Sequence, residues 1–349
     1  MDFYAVNPLL DKRWVDFVAG HPRTSVFHQR GWLEALALTY GYQPYVLSST
    51  GAGKALVDGI PLCRVGSRLV SLPFSDHCDL LVSDGQEPRD LLDHLRLEVE
   101  RKRFRYVELR SLSDNDVTMQ GMGASQRYWF HELDVTPGLD ILFRRLHRNS
   151  FQRKIRRAER ERLTYEVGVS NPLVDEFYRL LLLTRRRHRL IPQPRQWFRN
   201  LVRCMGSQVQ IRLARKDGVP IAAVLTIRHG ETLVYKYGCS DATFHRLGGV
   251  PYLFWKMVEE GKACGIARID FGRCETDNPG LIEFKDRFGT KRKLITYYRY
   301  KNKRTTELVK GWQMPDFQQF IRHHGAGLFV GMPDLVLSMA GRILYKHLG

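Results

Sequence analysis

The chain has 349 residues, of which 43% are hydrophobic and 26% are charged. These are ordinary values for a globular protein, and the length suits two domains of about 150 residues each. Lys and Arg number 55 against 37 Asp and Glu, which gives a formal net charge of +18 and a pI near 9.8. This excess excludes an acidic solvating chain and favours anionic partners, such as nucleic acid, phosphorylated cofactors or an anionic membrane surface.

The cysteines and the apolar segments indicate the cellular compartment. The six cysteines are scattered without a CxxC pair, so the sequence predicts reduced thiols, no disulfide framework and no metal. The start of the chain lacks a basic segment followed by an apolar one, and no run of ~18 apolar residues occurs. The sequence therefore predicts a cytoplasmic protein without a spanning helix.

Apolar spacing in the first part of the chain predicts a mixture of helices and strands. The predicted helices lie at residues 8–19, 30–40 and 88–103. The predicted strands lie at residues 3–6, 45–49, 55–65, 68–72, 105–110 and 128–135. The turn sequence at residues 136–138 then separates this part from the next.

The second part begins with a basic helix, predicted as one element over residues 140–162. Strands follow at 163–169, 208–216, 219–228, 232–238, 267–271 and 294–300, and helices follow at 173–187, 194–205, 250–264 and 279–288. The order differs from the regular alternation of a dinucleotide-binding sheet. The first part follows the same order more faintly, and the tail after residue 308 is predicted as two or three short helices.

The stretch from Tyr235 to Leu253 leaves a strand, passes a short polar loop and enters a helix. A helix start presents unpaired N–H groups and partial positive charge, so it suits a phosphate. The cofactor-binding candidates here combine small residues with donors and charge: His245, Arg246, Gly248, Gly249 and Val250. The alternative is a glycine-rich turn without a ligand. The corresponding residues of the first part, 75–87, lack this pattern, so we expect no cofactor there.

A second polar stretch lies where the strand at 267–271 ends and a helix begins. Either Glu275 or Asp277 is the predicted base that deprotonates an amine. Arg273 and Lys285 are the predicted contacts to an anionic substrate. The structural alternative is that Asp277 caps the helix, that Glu275 pairs with Arg273 or Lys285, and that Lys285 is solvated.

The basic helix is predicted to have a packed side and a charged side. Phe151, Ile155 and Ala158 recur at helical spacing, which leaves Arg153 and Arg157 pointing outward. A charged face of this kind steers an anionic substrate such as a nucleotide, a tRNA or a lipid pyrophosphate. These two arginines are therefore substrate-binding candidates, and a merely solvated face is the alternative.

In the first part, residues 72–79 are dense in polar groups directly after a predicted strand. Asp76 and His77 are substrate-binding candidates there. Their spacing fits no zinc pattern, and a buried hydrogen-bonded histidine is the alternative.

Three motifs together resemble the FemAB-like branch of the GNAT (acyl-CoA N-acyltransferase) superfamily: HRNSFQRKIRRAER, YKYGCSD with HRLGG, and DFGRCETDNPGLIEFKDRFG. The segment HPRTSVFHQRGW is similar as well, and the resemblance spans residues 1–303. It implies an α/β fold with mixed sheets in two tandem GNAT-like domains and a helical tail. The domains are expected at 1–136 (degenerate, acceptor side), 137–305 (donor binding and catalysis) and 306–349 (tail).

The resemblance implies acyl transfer from an acyl-CoA-like thioester to an amine, for instance on a lipid- or nucleotide-linked saccharide of the cell envelope or of an exopolysaccharide. A backbone N–H in the strand from Tyr235 to Gly238 would meet the oxyanion, and Tyr235 or Tyr237 would protonate the thiolate. The alternation of a strand predicts that these two tyrosines share one face.

Two alternatives remain at this stage. Pro251 departs from the family's phosphate-binding motif, which leaves aminoacyl-tRNA as a second donor, for transfer to a peptidoglycan precursor. A non-catalytic protein that binds polyanions on the same scaffold is the other alternative.

Apolar and basic residues are interspersed in residues 317–349, a pattern typical of short amphipathic helices. It predicts either peripheral contact with the inner face of the cell membrane or packing of the tail on the second domain.

Overall fold

The computed structural model describes residues 2–82, 88–112, 121–302 and 344–347. The tail predicted after residue 308 lies outside the described residues, apart from a 3₁₀ turn at Tyr345–His347. Within the described part of the chain, no helix is long and apolar enough to cross a bilayer. The cysteines are free thiols, as predicted.

The helices and strands are numbered in chain order. The helices are α1 Lys12–Gly20, α2 Arg30–Tyr40, α3 Arg89–Arg101, α4 Leu139–Arg145, α5 Arg153–Arg160, α6 Asn171–Arg187, α7 Arg195–Met205, α8 Gly249–Ala263 and α9 Pro279–Arg287. The strands are β1 Tyr4–Val6, β2 Pro44–Ser48, β3 Asp58–Val65, β4 Arg68–Val70, β5 Leu81–Val82, β6 Tyr106–Leu109, β7 Gly123–Asp134, β8 Thr164–Gly168, β9 Val209–Lys216, β10 Val219–His229, β11 Thr232–Ser240, β12 Arg268–Glu275 and β13 Lys291–Lys301.

The chain forms two compact units. Among the described residues, the first comprises 2–128, 295–302 and 344–347, and the second comprises 129–294. In unit 1 the strands follow the order β1-β2-β3-β4-β6-β13, with β4 and β6 parallel. Helix α3 covers this sheet with the apolar stripe that its sequence predicts: Leu91, Leu92, Leu95 and Val99.

Unit 2 repeats the arrangement with the order β8-β9-β10-β11-β12-β7, in which β11 and β12 are the parallel pair. Helices α5 and α8 cover one face through a core that includes Ile155, Phe254 and Met257. Helix α6 covers the other face, where the thiol of Cys239 lies 3.6 Å from the carbonyl oxygen of Phe177. The repeated topology predicted from the element order is therefore confirmed.

The basic segment predicted as one helix over 140–162 is divided. Helix α4 ends at Arg145, a π-helical turn occupies Arg148–Gln152, and α5 follows it directly. His147 causes the break, because its Nδ1 accepts a hydrogen bond from the backbone N–H of Ser150 at 3.2 Å and so caps a new helix. The predicted packing of Phe151, Ile155 and Ala158 is nevertheless confirmed.

Candidate active site

The parallel strands β11 and β12 separate at their carboxyl ends. Their ladder begins at Thr232 and ends at the pair Val234–Asp270, whereas β11 continues to Ser240 and β12 to Glu275. Within residues 129–294, the edge of β11 that faces β12 has no ladder partner beyond this point. Open α/β sheets commonly bind ligands at the carboxyl ends of their strands.

The separation has a local cause in β12. Gly272 has a φ of 66°, which glycine adopts without strain, and its N–H donates to the Asp270 carboxylate at 2.6 Å. From α9, the ammonium group of Lys285 donates to the carbonyl oxygens of Gly272 (3.1 Å) and Arg273 (3.2 Å). These bonds hold β12 in a path that leads away from β11.

A β-bulge provides the second cause, in β11. Leu225 of β10 pairs with Tyr237 and its neighbour Thr226 pairs with Tyr235, so Lys236 is an extra residue. The bulge bends β11 and interrupts the alternation of its side chains.

The expectation that Tyr235 and Tyr237 share one face is wrong for this reason. The ring of Tyr235 packs against Phe254 of α8, with centroids 4.8 Å apart. The hydroxyl of Tyr237 accepts a hydrogen bond from Nε1 of Trp197 in α7, at 2.9 Å. Burial raises the pKa of Tyr235, so its phenol stays protonated among aromatic rings.

The polypeptide enters α8 through a 3₁₀ turn at Ala242–Leu247, in which His245 and Arg246 are exposed. Nε2 of His245 lies 2.9 Å from the hydroxyl oxygen of Ser240 at the end of β11. Partial burial and the positive charges of Arg187 and Lys154 lower the pKa of His245, so the ring is neutral at pH 7. Lys154 of α5 and Arg187 of α6 therefore lie close to the start of α8.

The two glycines at this start have a packing role. Gly248 has a φ of 79°, and a Cβ there would collide with the backbone carbonyl of Lys154 in α5. A Cβ on Gly249 would lie 3.1 Å from Cβ of Ala222 in β10. A Cβ at either position would therefore disturb the packing of α8 against α5 and β10. The N–H groups of Gly249 and Val250 belong to the first helical turn, where no intrahelical partner exists.

The end of β12 carries the predicted acid–base residues. Glu275 and Arg273 are half-buried, while Asp277 is exposed. Asn278, and not Asp277, caps α9, because its side chain accepts from the N–H of Leu281 at 3.1 Å. The alternative that Asp277 acts as the cap is therefore wrong.

The three further predicted substrate contacts of unit 2 differ in exposure. Lys285 is only 3% exposed, so the alternative of a solvated side chain is wrong, and its ammonium contacts the backbone of β12. Arg153 and Arg157 are exposed on α5, and Arg157 lies 3.4 Å from the carboxylate of Glu161.

Asp76 and His77 lie in unit 1, in the loop after β4. His77 is 6% exposed, and its ring meets the ring of Phe27 edge-on at 5.3 Å. The backbone carbonyl of Asp76 accepts from the Tyr297 hydroxyl at 2.6 Å. Leu72 has a φ of 51°, a strained value for this residue type.

Unit 1 closes the place that corresponds to the opening between β11 and β12. Beyond the ladder of β4 and β6, the N–H of Cys78 donates to the carbonyl of Arg110 at 2.5 Å. The guanidinium of Arg110 donates to the carbonyl of Leu72 at 3.1 Å and contacts the Glu108 carboxylate at 2.9 Å. The loop and this buried arginine therefore occupy the position where unit 2 is open.

Two residues near the site carry no recognisable local signal in the sequence. Trp197, on helix α7, orients the hydroxyl of Tyr237 on strand β11. His131 of β7 lies beside Cys274, 143 residues away in the chain. Only the aromatic content of α7 pointed to a packed surface near β11.

The comparisons with known proteins agree with this geometry. The family model described as "Acetyltransferase (GNAT) domain" matches residues 145–286. No curated protein matches the chain in sequence. The solved structure of FemX has 14% identity and a TM-score of 0.70, with coverage of 88% of this chain and 100% of FemX.

Two further structures are similar at low identity. L-PGS from Bacillus licheniformis has 13% identity and a TM-score of 0.56, with coverage of 91% of this chain and 97% of L-PGS. A tandem GNAT protein from the clavulanic acid biosynthesis pathway has 13% identity and a TM-score of 0.53, with coverage of 86% and 99%. At such identities the likeness concerns the fold.

The matched family and the fold together define a class of transferase. Residues 145–286 form a GNAT acyltransferase domain. The same strand order recurs in both units, and the fold of the chain is similar to the folds of FemX and of the tandem GNAT protein.

Proposed function

We propose that unit 2 transfers an acyl group from an acyl-CoA-like thioester to an amine. The observation that carries the proposal is the separation of β11 and β12 after Val234 and Asp270, next to the start of α8. This arrangement brings a strand edge beyond the β11–β12 ladder next to a cationic helix start. A thioester with a phosphate-bearing carrier requires both features.

The donor is bound at two points in this proposal. Arg246 and the N–H groups at the start of α8 bind the pyrophosphate, and His245 adds a neutral hydrogen-bonding group. The edge of β11 between Tyr235 and Gly238 donates an N–H to the thioester carbonyl. That bond strengthens as the carbonyl oxygen becomes negative in the tetrahedral intermediate.

The proton transfers involve two side chains. Glu275 accepts the proton that the amine loses when its nitrogen forms the new bond to the carbonyl carbon. Tyr237 donates a proton to the thiolate when the carbon–sulfur bond breaks. The Trp197 N–H donates to the Tyr237 oxygen and so orients this phenol.

The acceptor class is an amine on a lipid- or nucleotide-linked saccharide of the cell envelope. A net charge of +18 and the exposed Arg153 and Arg157 favour an anionic carrier. Arg273 is the acceptor-side group of unit 2, and Lys285 supports it by holding the end of β12. In unit 1, considered by itself, Asp76 and His77 are the candidate substrate contacts. An acceptor on a lipid carrier would bring the protein to the inner face of the cell membrane.

Aminoacyl-tRNA is the second candidate donor. Pro251 has no N–H, so it removes one donor from the first turn of α8. The exposed cations of α5, including Arg153, Arg156 and Arg157, provide contacts that a polynucleotide backbone favours.

The two donors are separated by a transfer assay. Purified protein is incubated with radiolabelled acetyl-CoA or with radiolabelled alanyl-tRNA, each with nucleotide-linked amino sugars as acceptors. Amide product from acetyl-CoA supports the main proposal, and product from alanyl-tRNA alone supports the second candidate. Absence of product from both donors, with a series of longer acyl-CoA thioesters also inactive, would overturn the assignment of a donor to this site.

A further inference from the structure

A buried histidine connects the end of β12 with the end of α9. His131 of β7 is fully buried, and its Nε2 lies 3.4 Å from the thiol sulfur of Cys274. Its Nδ1 lies 3.0 Å from the hydroxyl oxygen of Thr290, just after α9. Neither contact belongs to the donor or acceptor contacts described above.

The partners fix the tautomer of this ring. The Thr290 hydroxyl lies 2.9 Å from the carbonyl oxygen of Lys285, which can only accept, so Thr290 donates its proton there. Thr290 must then accept from Nδ1–H of His131. The lone pair of Nε2 consequently faces the thiol of Cys274, which also lies 3.7 Å from the carbonyl oxygen of Trp129.

The charges around the ring keep it neutral. Burial and the positive charges of Lys285 and Arg292 lower the pKa of His131 to about 4. The carboxylate of Asp286 lies 3.6 Å from Nδ1, and Arg292 pairs with that carboxylate at 3.3 Å. The uncharged ring can therefore donate at one nitrogen and accept at the other.

These contacts form a closed ring of interactions that joins β7, β12 and α9. His131 holds Cys274, which lies between Arg273 and Glu275 on β12. Through Thr290, His131 also holds the backbone carbonyl of Lys285. The ammonium group of Lys285 in turn donates to the carbonyl oxygens of Gly272 and Arg273. The His131 side chain thus fixes both β12, which turns away from β11, and α9, which holds β12 in that path.

We propose that His131 is a positioning residue of the transferase, which sets the path of β12 and the placement of Glu275 through Cys274 and Thr290. The inference rests on the proposed function, because it assigns Glu275 a place in that reaction. Small displacements of a reacting group are costly: a shift of about 1 Å lowers a rate by about 100-fold.

The test uses Thr290, where two variants differ by one hydroxyl group. T290V has nearly the volume of threonine and removes both hydrogen bonds, whereas T290S retains them. We expect T290V to lower kcat for acyl transfer about tenfold or more at nearly unchanged KM for acetyl-CoA. T290S is expected to restore most of the activity, which loss of stability alone would not explain.

A second measurement is independent of any substrate. Amide resonances of residues 272–275 in ¹⁵N-labelled protein are expected to shift in T290V and to stay near their original positions in T290S. Equal kcat values for the two variants, or unshifted resonances in T290V, would overturn the inference. Failure of the proposed function would instead appear as absence of transfer by the unmodified protein, and the resonances would still decide whether His131 positions β12.

Discussion

Tyr235 and Tyr237 lie on opposite faces of β11, although a single residue separates them. The bulge at Lys236 directs Tyr235 towards Phe254 of α8 and Tyr237 towards Trp197 of α7. The two hydroxyls therefore have different surroundings. Tyr235 lies in an aromatic core, while Tyr237 accepts a hydrogen bond from the indole N–H of Trp197.

This difference predicts different effects of two matched substitutions. Tyr237→Phe removes the proton donor of the leaving thiolate and is expected to lower kcat by a factor of about 100 or more. Tyr235→Phe removes a hydroxyl of the core and is expected to leave kcat within about twofold. Steady-state kinetics with acetyl-CoA measures both. Equal losses in the two variants would contradict the assignment of Tyr237.

Gly248 is expected to be indispensable for the packing of α8. Gly248→Ala combines a positive φ with a collision against the Lys154 carbonyl, whereas Gly265→Ala has a φ of 74° in open space. Both substitutions strain the backbone by about 1 kcal/mol, but only the first requires α5 to move. Urea unfolding is expected to show a loss larger by at least about 1 kcal/mol for Gly248→Ala. Equal midpoints would show that α8 does not depend on this contact.

The lowered pKa of His131 predicts that the free energy of unfolding decreases as the pH falls. Its pKa is about 4 in the folded protein and near 6.5 in the unfolded chain, which therefore binds a proton first as the pH falls. The contribution is complete above pH 6.5 and is lost progressively towards pH 4, with a slope of at most about 1.4 kcal/mol per pH unit.

The substitution His131→Asn tests that dependence. The free energy of unfolding, measured at intervals between pH 7 and pH 4, is expected to fall less steeply in the variant than in the unmodified protein. The slope is compared and not the absolute stability, because the variant also loses packing. Parallel curves would contradict the lowered pKa of His131.

The buried contacts of Arg110 predict that its substitution lowers the stability of unit 1. Arg110→Ala leaves the Glu108 carboxylate with Arg299 and removes the donor to the Leu72 carbonyl. Removing one member of a buried ion pair costs about 3 kcal/mol. Arg105→Ala, at an exposed position of the same segment, is expected to cost less than about 0.5 kcal/mol. Thermal unfolding measures the difference, and similar midpoints would contradict the buried role of Arg110.

The order of elements in unit 2 was accessible from the sequence because turn residues separate its strands and its helices have clear starts. Asn278 and Pro279, for example, mark the first residues of α9. The division of the basic helix was not accessible, since no glycine or proline marks it and the cap is a histidine side chain at His147. The local sequence does not show that a nitrogen of a histidine ring will accept a hydrogen bond from a backbone N–H group.

The candidate site was predictable as a location more than as a set of contacts. The approach of β11 to α8 followed from HRLGG and the preceding strand. The faces of Tyr235 and Tyr237 could not follow, because a bulge changes the alternation without a characteristic residue. The partners of His131 lie 143 and 159 residues further along the chain, so only the folded structure brings them together.

The most direct test of the account is calorimetric titration with acetyl-CoA. The unmodified protein is compared with Arg246→Ala, at the start of α8, and with Arg268→Ala, an exposed arginine at the opposite end of β12. Loss of a charge-assisted bond to phosphate is expected to weaken binding about tenfold in Arg246→Ala. Arg268→Ala is expected to bind as the unmodified protein does. Equal affinities in all three proteins, or no binding of acetyl-CoA to any of them, would contradict a thioester donor at the start of α8.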